Sequence, residues 1–487
     1  MQHTEYGNLV AGEFRTSSSG QSMQDINPAD TREVLGTFPS MTREEVAEAI
    51  EAAADAFPEW KRLSPVARGK YLFEIANHIR ERSEDLARDV TQEVGKTINE
   101  ARVEVTNTAN FFEYYAGFGR QPQGDNLPDE RPGVFTYTRH EPLGVVGLIT
   151  PWNDPLLTTA RKLAPALICG NTVVLKPAPD TPLAAWHLAK IVNDVGVPGG
   201  VMNTVSGDAP TIGDLFLEHP AVRGISFTGS TQVGKELQRR AGERGNLRIQ
   251  TEMGGKNATL VLGDVDFRKA AEVITAGAFA QCGQRCTATS RVVTTEDAHG
   301  YLMEALVERA EELRIGNGLD ESTEMGPLAN ERQLDKVLRA VERGKDEGGT
   351  VLAGGSRLDE NGYEHGYFVA PTILDNVGPE AWVAQQEIFG PVLSVITAPD
   401  VERGVEIVNG TDYGLSASVF TESLAAAHYF AQNAEAGNIA VNLPTAGWSV
   451  HLPFGGFKDS GSSFKEQGRE GLQFYTRVRT VAMNVAT

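Results

Sequence analysis

The chain has 487 residues, 40% hydrophobic and 22% charged, and a formal net charge of -21 from 65 acidic and 44 basic side chains. That length exceeds one ordinary core and predicts two or three domains, with the composition of a globular enzyme. The negative balance argues against nucleic-acid and anionic-membrane partners, whose phosphates it repels, but not against a small anionic substrate facing a local arginine.

No apolar run approaches the ~20 residues of a transmembrane helix. Met1-Gln2-His3-Thr4-Glu5-Tyr6 lacks the basic-then-apolar pattern of a signal peptide. Cys169, Cys282 and Cys286 leave one cysteine unpaired in any disulfide scheme, so a reducing cytoplasm is the expected home. Without Cys/His ligand spacing, no metal site is expected.

Residues 7–40 read as short strands and turns, with turn chemistry at Gly12-Glu13-Phe14 and Ile26-Asn27-Pro28-Ala29. Helices follow. Thr42 and Glu45 form a capping box ahead of Val46, Ile50, Ala53 and Phe57 at helical spacing. Ser64-Pro65 opens a second helix, whose apolar face carries Leu72, Ile75 and Ile79. A third runs from Ser83 and stops near Gly95. These are core helices without chemistry. Residues 118–140 break the pattern before an alternating strand, Val134 to Thr138, and Phe474 to Val481 alternates in the same way. The two strands are either loops on one domain or a projecting sheet that meets another subunit.

From Leu143 to Gly263 strands and helices alternate. Apolar strands are expected at 145–149, 172–175, 203–205, 224–227 and 258–261, with a helix from Pro182 to Val195 that Thr181 can cap. Short continuous apolar strands between helices mean a parallel α/β sheet covered on both faces, with ligands at the carboxyl ends of its strands. A second α/β alternation runs from about 265 to 450. It carries Cys286 on a turn between an apolar helix, Ala270 to Gln281, and the strand Arg291 to Thr294. A thiol there is either a small buried hydrophobe or a nucleophile whose pKa the fold must manage.

The polar motifs fall at strand ends. Thr150-Pro151-Trp152-Asn153-Asp154-Pro155 follows the first strand, and Asn153 either caps the next helix or aims an amide at an oxyanion. Lys176-Pro177-Ala178-Pro179 follows the second, where a lysine suits a phosphate or ribose or is merely solvated. Phe227-Thr228-Gly229-Ser230-Thr231-Gln232-Val233-Gly234-Lys235 opens a helix whose amides can approach a pyrophosphate. In Thr251-Glu252-Met253-Gly254-Gly255-Lys256-Asn257 the glutamate is a general-base candidate or a partner of Lys256. Glu387-Ile388-Phe389-Gly390-Pro391 and Pro453-Phe454-Gly455-Gly456 complete the set.

Together, in this order, these motifs and Gly283-Gln284-Arg285-Cys286 resemble the aldehyde dehydrogenase superfamily over nearly the whole chain. The resemblance implies a Rossmann-type cofactor domain at 1–117 and 141–251, an α/β catalytic domain at 252–450, and a small β oligomerisation extension from 118–140 and 451–487. It implies a homodimer or homotetramer using NAD or NADP. Catalytic roles would fall to Cys286, Glu252 and Asn153. Thr150, Pro151, Trp152, Lys176, Pro179, Gly229, Ser230, Glu387 and Phe389 would hold the cofactor. Glu252 points to hydrolysis rather than transfer to coenzyme A, and Glu466 matches a further carboxylate near the water in some relatives.

Two departures stand out. Many NAD-preferring relatives have glutamate at the Pro179 position, so a 2′-phosphate is no longer repelled unless Asp180 substitutes. On the substrate side Asp154 stands where an aromatic is common and Arg161 where tryptophan is. Positions 154, 158 and 161 share a helix face, so Asp154, Thr158 and Arg161 would line one wall, with Arg285 adding positive field. An arginine there resembles dehydrogenases of acid-bearing semialdehydes; the bland alternative is an Arg161–Asp154 pair. Val441 to Gly447, His451 to Phe454 and Gly283 to Arg291 resemble the branch acting on 2,5-dioxopentanoate, with succinate semialdehyde the runner-up. Neutral or aromatic aldehydes, or a silent homologue with a binding role, are the other readings.

Overall fold

Val146, Leu148, Val173 and Leu175 enter one apolar core while Val145 and Val174, on the same two strands, enter another. That alternation between two cores is what a strand buried on both faces requires. The strands belong to a parallel sheet ordered Arg248–Glu252, Val222–Thr228, Val145–Ile149, Thr172–Lys176 and Met202–Thr204. This computed structural model describes residues 4–484. Residues 1–3 and 485–487 lie outside the described residues, and with them half of the stretch read for a leader and both outer ends of the expected segments.

A second sheet of seven strands, parallel except at its Thr350–Ala353 edge, surrounds the largest apolar core. Its centre holds Ala258–Val261, between Arg291–Thr295 and Ser416–Phe420. The alternation from Leu143 to Gly263 groups that strand with the first sheet, which the pairing corrects, whereas the 252–450 segment implied by the resemblance already includes it. Arg248–Glu252 takes the fifth place in the first sheet instead. The reason is the segment between them: Met253 to Asn257 has no regular structure and carries the chain from one sheet to the other. An apolar run signals burial but not which neighbours it pairs with.

Val134–Pro142 and Thr476–Asn484 do pair, over nine residues in antiparallel register, with Asn126–Leu127 on the other edge. Phe135, Val478 and Met483 on this sheet are exposed. The stretch between the catalytic sheet and this ribbon is used differently. Phe454 and Glu466 bond each other's backbone, and residues 460–462 bond the backbone at Thr251 and Met253. The C-terminal stretch thereby crosses the end of the strand Arg248–Glu252.

Local chemistry sets most helix ends. Thr42 and Glu45 make the expected capping box, and Ser64 accepts from the Ala67 N–H ahead of Pro65. Gly95 ends the third helix at φ 88°, where a Cβ would strike Pro28 and Pro327. The sequence reading placed nothing between Gly95 and 118, yet Thr97 and Glu100 box the start of a long helix, Ile98–Gly117. Two helices beside the first sheet are capped from afar. Thr181 makes no side-chain cap; the Glu93 carboxylate accepts from Leu183 and Ala184 N–H groups instead. Asn153 does not cap Pro155–Cys169 either, since Glu104 accepts from Leu156 and Leu157 N–H groups. Among the described residues no helix is long and apolar enough to cross a membrane.

Candidate active site

Cys286 sits on a turn in which side chains tie three successive carbonyls. Asn257 Nδ2 donates to Cys286 O (2.8 Å) and Ala288 O (2.9 Å), and Thr445 Oγ1 donates to Thr287 O (2.7 Å). Gly255 lets this turn come close, because a Cβ there would lie 2.8 Å from Cys286 O. Neither Asn257 nor Thr445 was singled out from sequence, although Asn257 closes the Glu252 motif. All three cysteines are free thiols. Burial pushes the Cys286 thiol up to about 12, against the pull of Arg161. The resting residue is therefore a thiol, and chemistry there requires a base.

Glu252 ends its strand with 2% of its surface exposed, and among the described residues neither carboxylate oxygen has a hydrogen-bond partner. Lys256 Nζ is likewise unpartnered, so the expected alternative of a Glu252–Lys256 bond is not what forms. Burial, and then the charge of Glu466, pushes the Glu252 carboxyl well above its ordinary range; Lys162, Lys465 and Arg161 pull the other way. Glu466 is buried and pairs with buried Lys162, which also donates to Ser226 Oγ (3.0 Å). The charges of Glu252, Glu387, Asp154 and Arg161 all reach the Cys286 thiol.

A cavity of about 340 Å³ opens on Cys286 and is lined by Asp154, Arg161, Arg285, Trp448, Phe454 and others. Thr158 is buried rather than part of this lining. Arg161 does not pair with Asp154, which overturns the bland alternative. Its guanidinium lies over the Phe454 ring (4.7 Å) and toward Phe111 (5.9 Å), with Nη1 3.7 Å from Glu466 Oε2. Its buried Nε has no partner among the described residues. Asp154 turns to Lys96 instead: Nζ donates to Asp154 Oδ1 (2.7 Å) and Glu104 Oε2 (2.6 Å). Burial works to raise the Asp154 carboxyl, but Lys96 and then Arg285 outweigh it and hold it low. Asn153 is buried and donates to Asp154 Oδ2 (3.3 Å).

The turn before Cys286 is strained. Gln281 (φ 52°) and Cys282 (φ 55°) are consecutive left-handed residues, each costing about 1–2 kcal/mol relative to right-handed backbone. The Glu100 carboxylate accepts from Gln281 N–H (2.7 Å) and helps to hold that conformation.

Most of the expected cofactor residues follow the carboxyl ends of strands in the first sheet, whereas Glu387 and Phe389 lie just before Val392–Ala398 of the second. Thr150 N–H donates to Lys176 O (3.2 Å), fixing the first two strand ends side by side. Burial pushes the Lys176 amine down to about 8, and its Nζ rests on the Pro177 carbonyl (3.0 Å). Ser230 caps the helix Thr231–Arg244, and Gly229 leaves room beside the Phe227 ring, which a Cβ would meet at 2.6 Å. Trp152 and Phe389 meet edge to face at 5.3 Å. Glu387 Oε1 accepts from Gly255 N–H (3.1 Å), and a Cβ on Gly254 would collide with that carboxylate. Pro179 is exposed, while Asp180 is turned to Asn330 (3.1 Å). The buried Thr228 hydroxyl has no partner among the described residues. Hydroxyls, a lysine and an aromatic face from the first sheet, with a carboxylate and a second aromatic from the segment before Val392–Ala398, fit the riboses, pyrophosphate and flat ring of a nicotinamide dinucleotide.

The chain belongs to the aldehyde dehydrogenase family, whose sequence profile matches residues 14–481. It is thus an NAD(P)-dependent enzyme that oxidises an aldehyde to the carboxylic acid. An alpha-ketoglutaric semialdehyde dehydrogenase of Bacillus subtilis (strain 168) is 40% identical over 480 residues, 99% of this chain and 98% of that protein. Retinaldehyde dehydrogenase 3 of Mus musculus is also 40% identical, over 98% of this chain and 92% of its own. The crystal structure of an NAD-dependent aldehyde dehydrogenase from Sinorhizobium meliloti superposes with a TM-score of 0.96 at 34% identity, covering 100% of this chain and 96% of that one.

Proposed function

We propose that the substrate is a short aldehyde bearing a carboxylate, of the α-ketoglutarate or succinate semialdehyde kind. The observation that carries this reading is the cavity beside Cys286, into whose lining two guanidinium side chains, Arg161 and Arg285, are built. Identity alone does not decide the matter, since the semialdehyde and retinaldehyde relatives are equally similar.

In this reading Glu252, once ionised, takes the Cys286 proton, and the thiolate adds to the aldehyde carbon. The oxyanion is held by the Asn153 amide and the Cys286 N–H. Bound NAD(P)+ supplies the two-electron acceptor for the carbon–hydrogen bond that breaks, and a thioester on Cys286 remains. Glu252 loses that proton to solvent and, ionised again, takes one from water, whose oxygen attacks the thioester; the carboxylic acid leaves, and Glu252 returns its proton to the departing thiolate, which restores the thiol. Its burial and its lack of a bonded partner among the described residues support giving both roles to Glu252. Lys176 and Glu387 would hold the riboses, Ser230 and the Gly229 turn the pyrophosphate, and Thr150, Pro151, Trp152 and Phe389 the nicotinamide end. The exposed apolar side chains on the three-stranded sheet support its use in forming a homodimer or homotetramer, and the free thiols support a cytoplasmic home.

The test is Arg161→Met. A desolvated charge-assisted pair contributes roughly 1.5–3 kcal/mol, so kcat/KM for succinate semialdehyde relative to butanal is expected to fall about ten- to a hundredfold. Equal losses on both substrates would make Arg161 structural and favour neutral aldehydes.

A further inference from the structure

We infer that Gln281 is a positioning residue that sets substrate preference by holding Arg285 against the cavity at Cys286. The inference rests on the semialdehyde reading above. Gln281 is 3% exposed and bonded at both ends of its side chain. Its Nε2 donates to Asp154 Oδ1 (2.7 Å), and its Oε1 accepts from Arg285 Nε (2.5 Å). A carboxylate accepts and a guanidinium donates, so these two neighbours leave the amide only one orientation.

The far end of the relay is rigid. Asp154 Oδ1 also takes Lys96 Nζ, whose other carboxylate partner, Glu104, caps the helix Pro155–Cys169. Lys96 and Glu104 are both buried. At the near end Arg285 engages the protein only through Nε, and among the described residues its two terminal nitrogens have no partner. A guanidinium fixed at Nε with both terminal N–H edges open is prepared to accept a carboxylate in a fork. The other cavity arginine is held differently, by the Phe454 and Phe111 rings and Glu466.

The assay compares kcat/KM for succinate semialdehyde and butanal in the full-length enzyme at saturating NAD+, with thermal melting alongside. Asparagine tolerates left-handed backbone, so Gln281→Asn keeps the turn but falls one methylene short of both partners. The acid-to-neutral ratio is expected to drop about tenfold, through KM for the acidic aldehyde rather than kcat. Arg285→Met should lose at least as much, and the double variant no more than Arg285→Met alone, because the two act as one unit. Should Gln281→Asn melt early, Gln281→Gly accepts the same φ without strain and removes the same amide. Loss of ratio in Arg285→Met but not in either Gln281 variant, or fully additive losses, would overturn the positioning role alone. An unchanged ratio in Arg285→Met would overturn the role of Arg285 in the substrate reading, and the inference with it.

Discussion

The wall of Cys286 proposed for the cofactor draws polar groups from the ends of adjacent strands, whereas the wall proposed for the substrate draws them from four stretches far apart in the chain. Thr150, Lys176, Thr228 and Glu252 stand within or one residue past their strands, in neighbouring register. Lys96, Asp154 with Arg161, Gln281 and Glu466 support the other wall from separate stretches and are tied to one another, Lys96 and Gln281 to Asp154 and Glu466 to Arg161, before any ligand arrives. The first wall leaves groups such as the Thr228 hydroxyl without a protein partner; the second fixes Lys96, Glu104 and Asp154 to one another but leaves Arg161 Nε and the terminal nitrogens of Arg285 open among the described residues. One wall waits along its length for a ligand to satisfy it, and the other waits only at its two guanidinium groups.

Cys286→Ala tests the separation of the two walls with the largest expected effect. Aldehyde oxidation, read as reduced-nicotinamide absorbance, should vanish, while dinucleotide binding, read by tryptophan fluorescence, should survive. Turnover by this variant would sink covalent catalysis. Loss of cofactor binding would mean that the nucleophile turn also supports the cofactor edge.

Glu252→Gln comes next and asks which step depends on the unpartnered carboxyl. If its main work is on water, a burst of reduced cofactor should persist while steady turnover falls about 10²- to 10⁴-fold. Loss of the burst would move its main role to Cys286 activation. The pH profile carries a sign. Burial and Glu466 raise the Glu252 carboxyl above the usual 4.5, and the ionised form is the active one. Wild-type turnover should therefore climb with pH on a limb displaced upward from the free carboxylate, and the Gln variant should lack that limb.

The same contrast explains what could be read from sequence. Strand-end residues announce themselves, because an apolar run followed by Pro-Trp-Asn or Lys-Pro fixes where the polar group emerges. Glu252, Asn153 and Lys176 were legible for that reason, and Cys286 from its turn between an apolar helix and a strand. Asp154 and Arg161 were legible as departures but not in their partners. Helical spacing suggested a mutual pair, and the structure gives Lys96 to one and Phe454 with Glu466 to the other. Lys96 and Glu104 lie on a stretch that carries no motif, and Gln281 looked like the last turn of an apolar helix. The strand Ala258–Val261 went to the other sheet for a similar reason, since pairing partners are a long-range property.

The smallest effect expected belongs to the open cofactor wall. Pro179 is exposed beyond the end of the strand Thr172–Lys176, and in the proposed cofactor pose a carboxylate there would repel a 2′-phosphate. Asp180 is poorly placed to substitute: its carboxylate accepts from Asn330, and burial raises it against the pull of Arg332. With no fixed negative charge at position 179, the enzyme should turn over NADP as well as NAD. Pro179→Glu restores that charge at a site open to solvent, where like-charge repulsion at about 4 Å amounts to roughly 1 kcal/mol. The ratio of kcat/KM for NAD over NADP should then rise by about five- to tenfold, carried by KM for NADP. The substitution also releases a φ that proline fixes, so Pro179→Gln is the control: it loosens the backbone equally but adds no charge. A shift in both variants would assign the effect to the loop. A shift in neither would place the choice between the two cofactors elsewhere on the strand ends, with Lys176 and its neighbour Asp208 the next pair to exchange.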